Sequence, residues 1–430
     1  MKKCMFLLVA ITFTLVLAMP STVNAADKTA KKKWTVMVFS NADNNLDTDL
    51  CNDLKEMETA GTSDDVNVLV EIDRLNKPAR RYQVSPRSMA NKPDDWGFCS
   101  NKLAELGELD MGHPKVLDEF ITWSVTNYPA AKYMLIIQNH GSGWRKTDKK
   151  ITRGISYDDQ SKHYISTKEL GRVFAKAAAL IGKPLDIFGT DACLMQMLEV
   201  DYEIKDSVSY IVSSEEVVPG PGWPYEYIFS PLFGNASINA KEFATMIPSI
   251  YNESYKKSEK DNATMSTVDC KEIDTLAKAV DAFAIAAKEA MTTDASEIKI
   301  FQEAHKQVQK YYDRDNMDIG HFMKLINETS KNAKIKEAAT QVLMAYQKCI
   351  MTNAFNNTAM SNSSGMAIFF PRTIFNLYYR TLKFQALNWD EMIKIAEPKL
   401  IEFHGNEDDY EAYDPHGSDV NEDYWGSPSL

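Results

Sequence analysis

Two residues of this chain stand where covalent chemistry is expected. The stretch KYMLIIQNHGSGW, Lys132 to Trp144, is an apolar run that stops at Asn139-His140-Gly141. A second apolar run, PLDIFGTDACLM, Pro184 to Met195, stops at Asp191-Ala192-Cys193. A cysteine attacks as its thiolate, and a neighbouring imidazole takes the thiol proton and later returns one to the leaving group. Gly141 leaves its backbone N–H unobstructed, so the N–H groups of Gly141 and Cys193 are candidates for an oxyanion hole. The histidine precedes the cysteine by about fifty residues, a separation seen in one class of cysteine proteases. Taken singly, a lone histidine is more often structural and a lone cysteine a small buried apolar residue. The joint placement at two strand ends carries the argument.

The elements around these residues alternate. WTVMVFS (Trp34–Ser40), VNVLVEID (Val66–Asp73) and ARRYQVS (Ala79–Ser85) read as strands, and PKVLDEFITWSVTNYP has helical spacing up to Pro129. GISYDD (154–159) reads as a short strand. STKELGRVFAKAAALIG carries a helix start at Ser166 or Thr167, with Glu169 close behind, and a stop at Gly182. LMQMLEVDYEIKDS, directly after Cys193, reads as a helix whose N-terminus would favour a thiolate. YIVSSEE (Tyr210–Glu216) and TMSTVD (Thr264–Asp269) read as strands. GMAIFFP (Gly365–Pro371) is expected to close the sheet edge, and the rest of the second half reads as helical. Strands alternating with helices imply an α/β fold, a mostly parallel sheet covered on both faces. Ligands of such sheets bind at the carboxyl ends of the strands, which is where His140 and Cys193 fall.

Composition narrows the function classes. The 430 residues are 44% hydrophobic, ample for a large core, and the net charge of −12 argues against nucleic acid and anionic lipid as partners. Lys2 and Lys3, the apolar run MFLLVAITFTLVLAM and the small residues of Val23-Asn24-Ala25 form an export signal with cleavage expected after Ala25, or else after Ala26. Export to the periplasm or the medium follows. Removal of Cys4 with the leader leaves Cys51, Cys99, Cys193, Cys270 and Cys349, an odd set that implies at least one unpaired thiol. No cysteine pair has zinc spacing. The expected organisation is a signal peptide (1–25), a polar lead-in (26–33), a catalytic core (34–263), a C-terminal part completing the sheet with a helical subdomain (264–402), and an acidic tail (403–430) whose composition predicts disorder.

VFSNADNNLD, NHGSGW, GISYDD, TDACLM and SSEEVVPGPGWPY, in this order between Trp34 and Tyr227, resemble the clostripain family of cysteine peptidases; TMSTVD and GMAIFFP resemble its C-terminal half. The resemblance implies a caspase-like three-layer sandwich, a His140–Cys193 dyad, protein or peptide substrates cut after Arg or Lys, and self-cleavage in the loop after the histidine strand. Here that loop offers Arg145, Lys146, Lys149, Lys150 and Arg153. The family's basic-specific members have an aspartate where this chain has Pro221, between Gly220 and Gly222. A buried cation must be paired, so Asp191, Glu215 and Glu216 become the candidate pocket anions. No cofactor is required. Calcium serves some family members, but the acidic runs NADNNLDTD and YDD do not follow EF-hand spacing. A thiol hydrolase or transpeptidase acting on cell-wall peptides, and a non-catalytic binding protein on the same scaffold, remain open as alternatives.

Overall fold

The computed structural model describes residues 31–88, 92–144, 154–258 and 260–403. The expected leader, the five basic loop positions Arg145, Lys146, Lys149, Lys150 and Arg153, and residues 404–430 of the tail lie outside the described residues.

Among the described residues, eight strands occur in the first two thirds of the chain: β1 (Lys32–Ala42), β2 (Val66–Arg74), β3 (Lys77–Gln83), β4 (Asn101–Gly107), β5 (Ala130–Gln138), β6 (Leu185–Asp191), β7 (Val208–Ser213) and β8 (Thr264–Asp269). β9 (Asn316–Asp318), β10 (Ile350–Phe355) and β11 (Ala367–Phe369) follow. The main sheet has nine strands in the order β10-β8-β7-β6-β5-β1-β2-β3-β4. Its centre, from β2 through β1, β5 and β6 to β7, is parallel, and the strands at both edges pair antiparallel.

The apolar runs explain this centre. Successive strand residues face opposite sides, so a strand covered on both faces needs apolar residues throughout. In β1, Met37 and Phe39 enter the core on one face and Val36 and Val38 the core on the other. In β5, Leu135 and Ile137 divide from Met134 and Ile136 in the same way. Helices Pro114–Asn127, Thr167–Ile181 and Ile273–Thr293 cover the first face. Helices Asp47–Ala60, Tyr225–Gly234 and Ala240–Tyr255 cover the second. The expected capping box is present: Ser166 Oγ accepts from Glu169 N, and the Glu169 carboxylate accepts from Ser166 N at 2.8 Å.

Four expectations are corrected. GMAIFFP does not close the sheet edge: β11 pairs with β9 in a separate two-stranded ladder, and the edge strand is β10, from a stretch expected to be helical. GISYDD makes only isolated bridges, Ile155 with Gly141 and with Ile165. β4 was not foreseen; its side chains are mostly exposed, so it lacks the apolar alternation that marks a strand. The helix after Cys193 begins at Leu198, because Met195–Met197 are drawn into extended pairing: Gln196 N donates to Ser214 O, and Ala367 N to Gln196 O.

Gly189, in the middle of β6, lies against a fully buried indole. A Cβ there would sit 2.6 Å from Trp223 Cη2. Gly189→Ala is therefore expected to destabilise the fold by about 1–3 kcal/mol, read as a lowered midpoint in a circular-dichroism melt.

Candidate functional site: the turns after β5 and β6

β5 and β6 end side by side. Their parallel register closes on Gln138 opposite Asp191, and Asn139 N donates to Asp191 O at 3.2 Å. His140 is the second residue beyond Gln138, and Cys193 the second beyond Asp191. The two turns are in van der Waals contact: a Cβ on Gly141 would lie 2.5 Å from Cys193 O and 3.1 Å from Ala192 Cβ. Only glycine permits this approach.

The histidine turn is held by a buried amide. Asn139 Nδ2 donates to Asn41 O at 2.6 Å and to Tyr157 O at 3.1 Å, while its Oδ1 accepts from Tyr157 N. One side chain thereby ties the end of β1, the histidine turn and the GISYDD segment together. His140 Nε2 lies 2.8 Å from Asn45 Oδ1. An amide oxygen only accepts, so Nε2 carries the hydrogen and Nδ1 is left as the base. Asn45 lies in the run NADNNLDTD, and its only signal in the sequence is an asparagine just past a strand end.

The nucleophile turn carries backbone strain. Leu194 has φ 63, a left-handed conformation that costs a branched residue about 1–2 kcal/mol. Its N–H donates to Glu216 O at 3.2 Å and its side chain is buried, which holds the turn. Val218 N lies 3.3 Å from Cys193 Sγ and donates to it. Neither Gly141 N nor Cys193 N donates to a backbone carbonyl among the described residues, and the Cys193 N–H acts on its own sulfur.

The electrostatics differ from expectation. Burial pushes the Cys193 thiol up to about 11; the Val218 amide counters this, and the charges of Asp191 and Glu216 add to it. Burial also lowers His140, opposed by Asp159. The pair is therefore a neutral thiol and a neutral imidazole, and the helix end expected to stabilise a thiolate starts farther along the chain. Of the five described cysteines, Cys51, Cys99, Cys270 and Cys349 are buried and only Cys193 is partly exposed.

The other candidates fall in different places. Asp191 is buried against the Gly220–Trp223 turn: its Oδ2 accepts from Trp223 N at 3.0 Å and from Tyr225 Oη at 2.9 Å, and a Cβ on Gly222 would lie 2.8 Å from it. Burial raises Asp191 to about 6. Burial and the charges of Asp191, Glu56 and Asp49 raise Asp53 well above the carboxylate range. Glu215 is buried elsewhere, accepting from Tyr311 Oη at 2.6 Å near Asp318, which removes it from any pocket beside Asp191. Glu216 accepts from Val217 N at 2.8 Å and Tyr312 N at 3.1 Å. The acidic run after β1 places Asp43 near Asp158, Glu108 and Asp159, which together with burial raise it to about 6. Among the described residues no group of three or more His, Cys, Asp or Glu is arranged to hold a metal ion.

The clostripain family model matches residues 38–402. The chain belongs to the clostripain family. It is a cysteine peptidase, 25% identical over 420 residues to clostripain of Hathewaya histolytica, with 83% of this chain and 78% of that protein covered. Its fold matches a secreted C11 cysteine protease from Bacteroides thetaiotaomicron, solved with an irreversible peptide inhibitor (TM-score 0.62, 19% identity, 84% of this chain and 99% of that one). It also matches an inactive zymogen C11 protease from Parabacteroides distasonis (TM-score 0.62, 17% identity, 85% and 99%). The fold class expected from the strand pattern and from the family resemblance is thereby met. No helix among the described residues is long and apolar enough to cross a membrane.

The Asn45 contact sets a test for this clostripain-family site. Asn45→Ala should lower kcat by about tenfold or more with KM little changed, because it removes the partner that holds the imidazole's orientation. Asn45→Asp should restore turnover and move the acidic limb of the pH–rate profile upward, since a carboxylate favours the imidazolium.

Proposed function

We propose that the chain is an exported endopeptidase that forms an acyl-enzyme on Cys193. The observation that carries this reading is the contact of the two turns, with Gly141 packed on the Cys193 carbonyl. His140 Nδ1 takes the thiol proton as sulfur bonds to the scissile carbonyl carbon. The carbonyl oxygen, now negative, is received by the N–H groups of Gly141 and Cys193, neither of which donates to a backbone carbonyl among the described residues. The imidazolium then gives its proton to the departing amine, and water attacks the thioester with His140 again as base. Because both groups start neutral, no resting ion pair is needed.

The proposed preference is for Arg or Lys before the scissile bond. Pro221 supplies no charge, but acidic residues surround its turn from below. Asp191 touches Gly222; on the helix Asp47–Ala60, Asp53 feels the charges of Asp191, Glu56 and Asp49, and Glu56 feels that of Asp191. A cation entering beside them would be paired with carboxylates that burial otherwise keeps partly protonated.

Maturation is proposed within residues 145–153. The ends of that segment are pinned together, Ser142 N to Gly154 O and Gly154 N to Gly143 O, both at 3.0 Å. A cut there would leave two fragments sharing the β5–β6 ladder, so they would stay associated. Export rests on the leader motif.

The test is cleavage of peptides that differ only in the residue before the scissile bond, with Cys193→Ala run beside the native protein. Native protein should cut after Arg or Lys and resolve on a denaturing gel into two chains with a new N-terminus between Lys146 and Gly154; Cys193→Ala should do neither. The ratio of kcat/KM for an Arg peptide over a neutral one should rise as pH rises through about 6, because Asp191 ionises there. Asp191→Asn should flatten that rise. Preference for a neutral residue would overturn the specificity, and cleavage by Cys193→Ala would overturn the dyad.

A further inference from the structure

On the far side of the nucleophile from β5, a second cavity borders the site. It has a volume of ≈ 410 Å³. One wall is Glu216, Val217 and Pro219, the segment whose Val218 N–H touches Cys193 Sγ. Facing it are Lys260, Lys310 and Arg314. The carboxylates in the lining are already occupied by neutral donors. Glu216 accepts from two backbone amides, and Asp261 Oδ2 accepts from Ser258 Oγ at 2.6 Å. Neither Lys260, Lys310 nor Arg314 has a carboxylate within ion-pair distance among the described residues.

Lys310 is the most telling of the three. It is half-buried, and burial with the charges of Arg372 and Arg314 lowers it to about 8. Asp315 and Glu397 oppose this shift from beyond ion-pair distance, and Glu397 is itself engaged by Arg372 at 3.7 Å. The cavity lining thus carries three cations against two carboxylates, Glu216 and Asp261, and although Glu216 feels the charge of Arg314, neither carboxylate forms an ion pair with the cations. A half-buried cation that lacks a direct ion pair costs free energy that a carboxylate ligand would recover.

We propose that this cavity is a substrate subsite for an acidic side chain: Lys310 and Arg314, with Lys260 at the rim, take the carboxylate of a Glu or Asp close to the scissile bond. This rests on the endopeptidase reading and adds a second specificity to it. The substrate would then carry a basic residue for the Asp191 side and an acidic one for the cavity, at a fixed spacing.

The experiment uses internally quenched peptides with a single arginine and with Glu or Gln placed in turn at each position on either side of it. The native enzyme should favour Glu over Gln at one position by about tenfold in kcat/KM, and the advantage should shrink as salt is raised. Lys310→Met and Arg314→Gln should each bring that ratio close to one, while the Gln peptide is cut at nearly the native rate. The same peptide pair, labelled with a fluorophore, is titrated into Cys193→Ala and followed by anisotropy, so the Glu/Gln ratio is measured even if turnover is absent. Loss of all hydrolysis with a retained Glu advantage in binding would count against the endopeptidase reading and for the subsite. Normal hydrolysis with no Glu advantage at any position, or an advantage that survives in both variants, would overturn the subsite.

Discussion

The structure depends on the parallel pairing of β5 with β6. That register, closing at Gln138 and Asp191, fixes which residues emerge together at the carboxyl end of the sheet. A slip of one residue would exchange the faces of the strand and bury the wrong side chains, so the hydrophobic pattern of Met134–Ile137 also sets the position of His140. Three local devices then complete the arrangement. Gly141 permits contact with the Cys193 carbonyl, Asn139 ties its turn to β1 and Tyr157, and Leu194 accepts a left-handed conformation held by Glu216 O.

The second governing effect is desolvation. The strand ends are packed against the loop after β7 and the C-terminal part, which reaches the nucleophile turn through the Met197–Ala367 bridge and through Trp144, whose ring centroid lies 4.8 Å from that of Phe369. Burial of this kind disfavours every charged form. It keeps Cys193 a thiol and His140 an imidazole, and it raises Asp191 and Asp53. The same physics leaves Lys310 short of counter-charge. In the proposed specificity, basic and acidic side chains of the substrate would relieve the two imbalances, one on each side of the loop that runs from Glu216 to Trp223.

Much of this was legible in the sequence where short-range rules apply. The strands ending at His140 and Cys193 were visible because continuous apolar runs stop at polar and glycine residues. The Ser166–Glu169 capping box was visible because it is a four-residue motif. The misreadings share a different cause. Met195–Met197 have helical composition, but long-range pairing to Ser214 and Ala367 keeps them extended. β10 was hidden in a helical context and is a strand because β8 offers it an edge. Glu215 and Glu216 sit in a strand-end motif beside the nucleophile, yet Tyr311 and Tyr312, distant in sequence, engage both. Asn45 was invisible for the same reason, since its role exists only once β1 and β5 lie side by side.

The central proposal is that Cys193 and His140 work together from a neutral resting state, with the thiol activated only as substrate is attacked. Its most direct test is the rate of Cys193 alkylation by iodoacetamide as a function of pH, followed by mass spectrometry on the intact chain. The account predicts a rate that is low at neutral pH and keeps climbing above 8.5, the ordinary thiol value, with Cys51, Cys270 and Cys349 unreactive. A plateau already reached in the acid range and abolished by His140→Ala would reveal a preformed thiolate–imidazolium pair and contradict it.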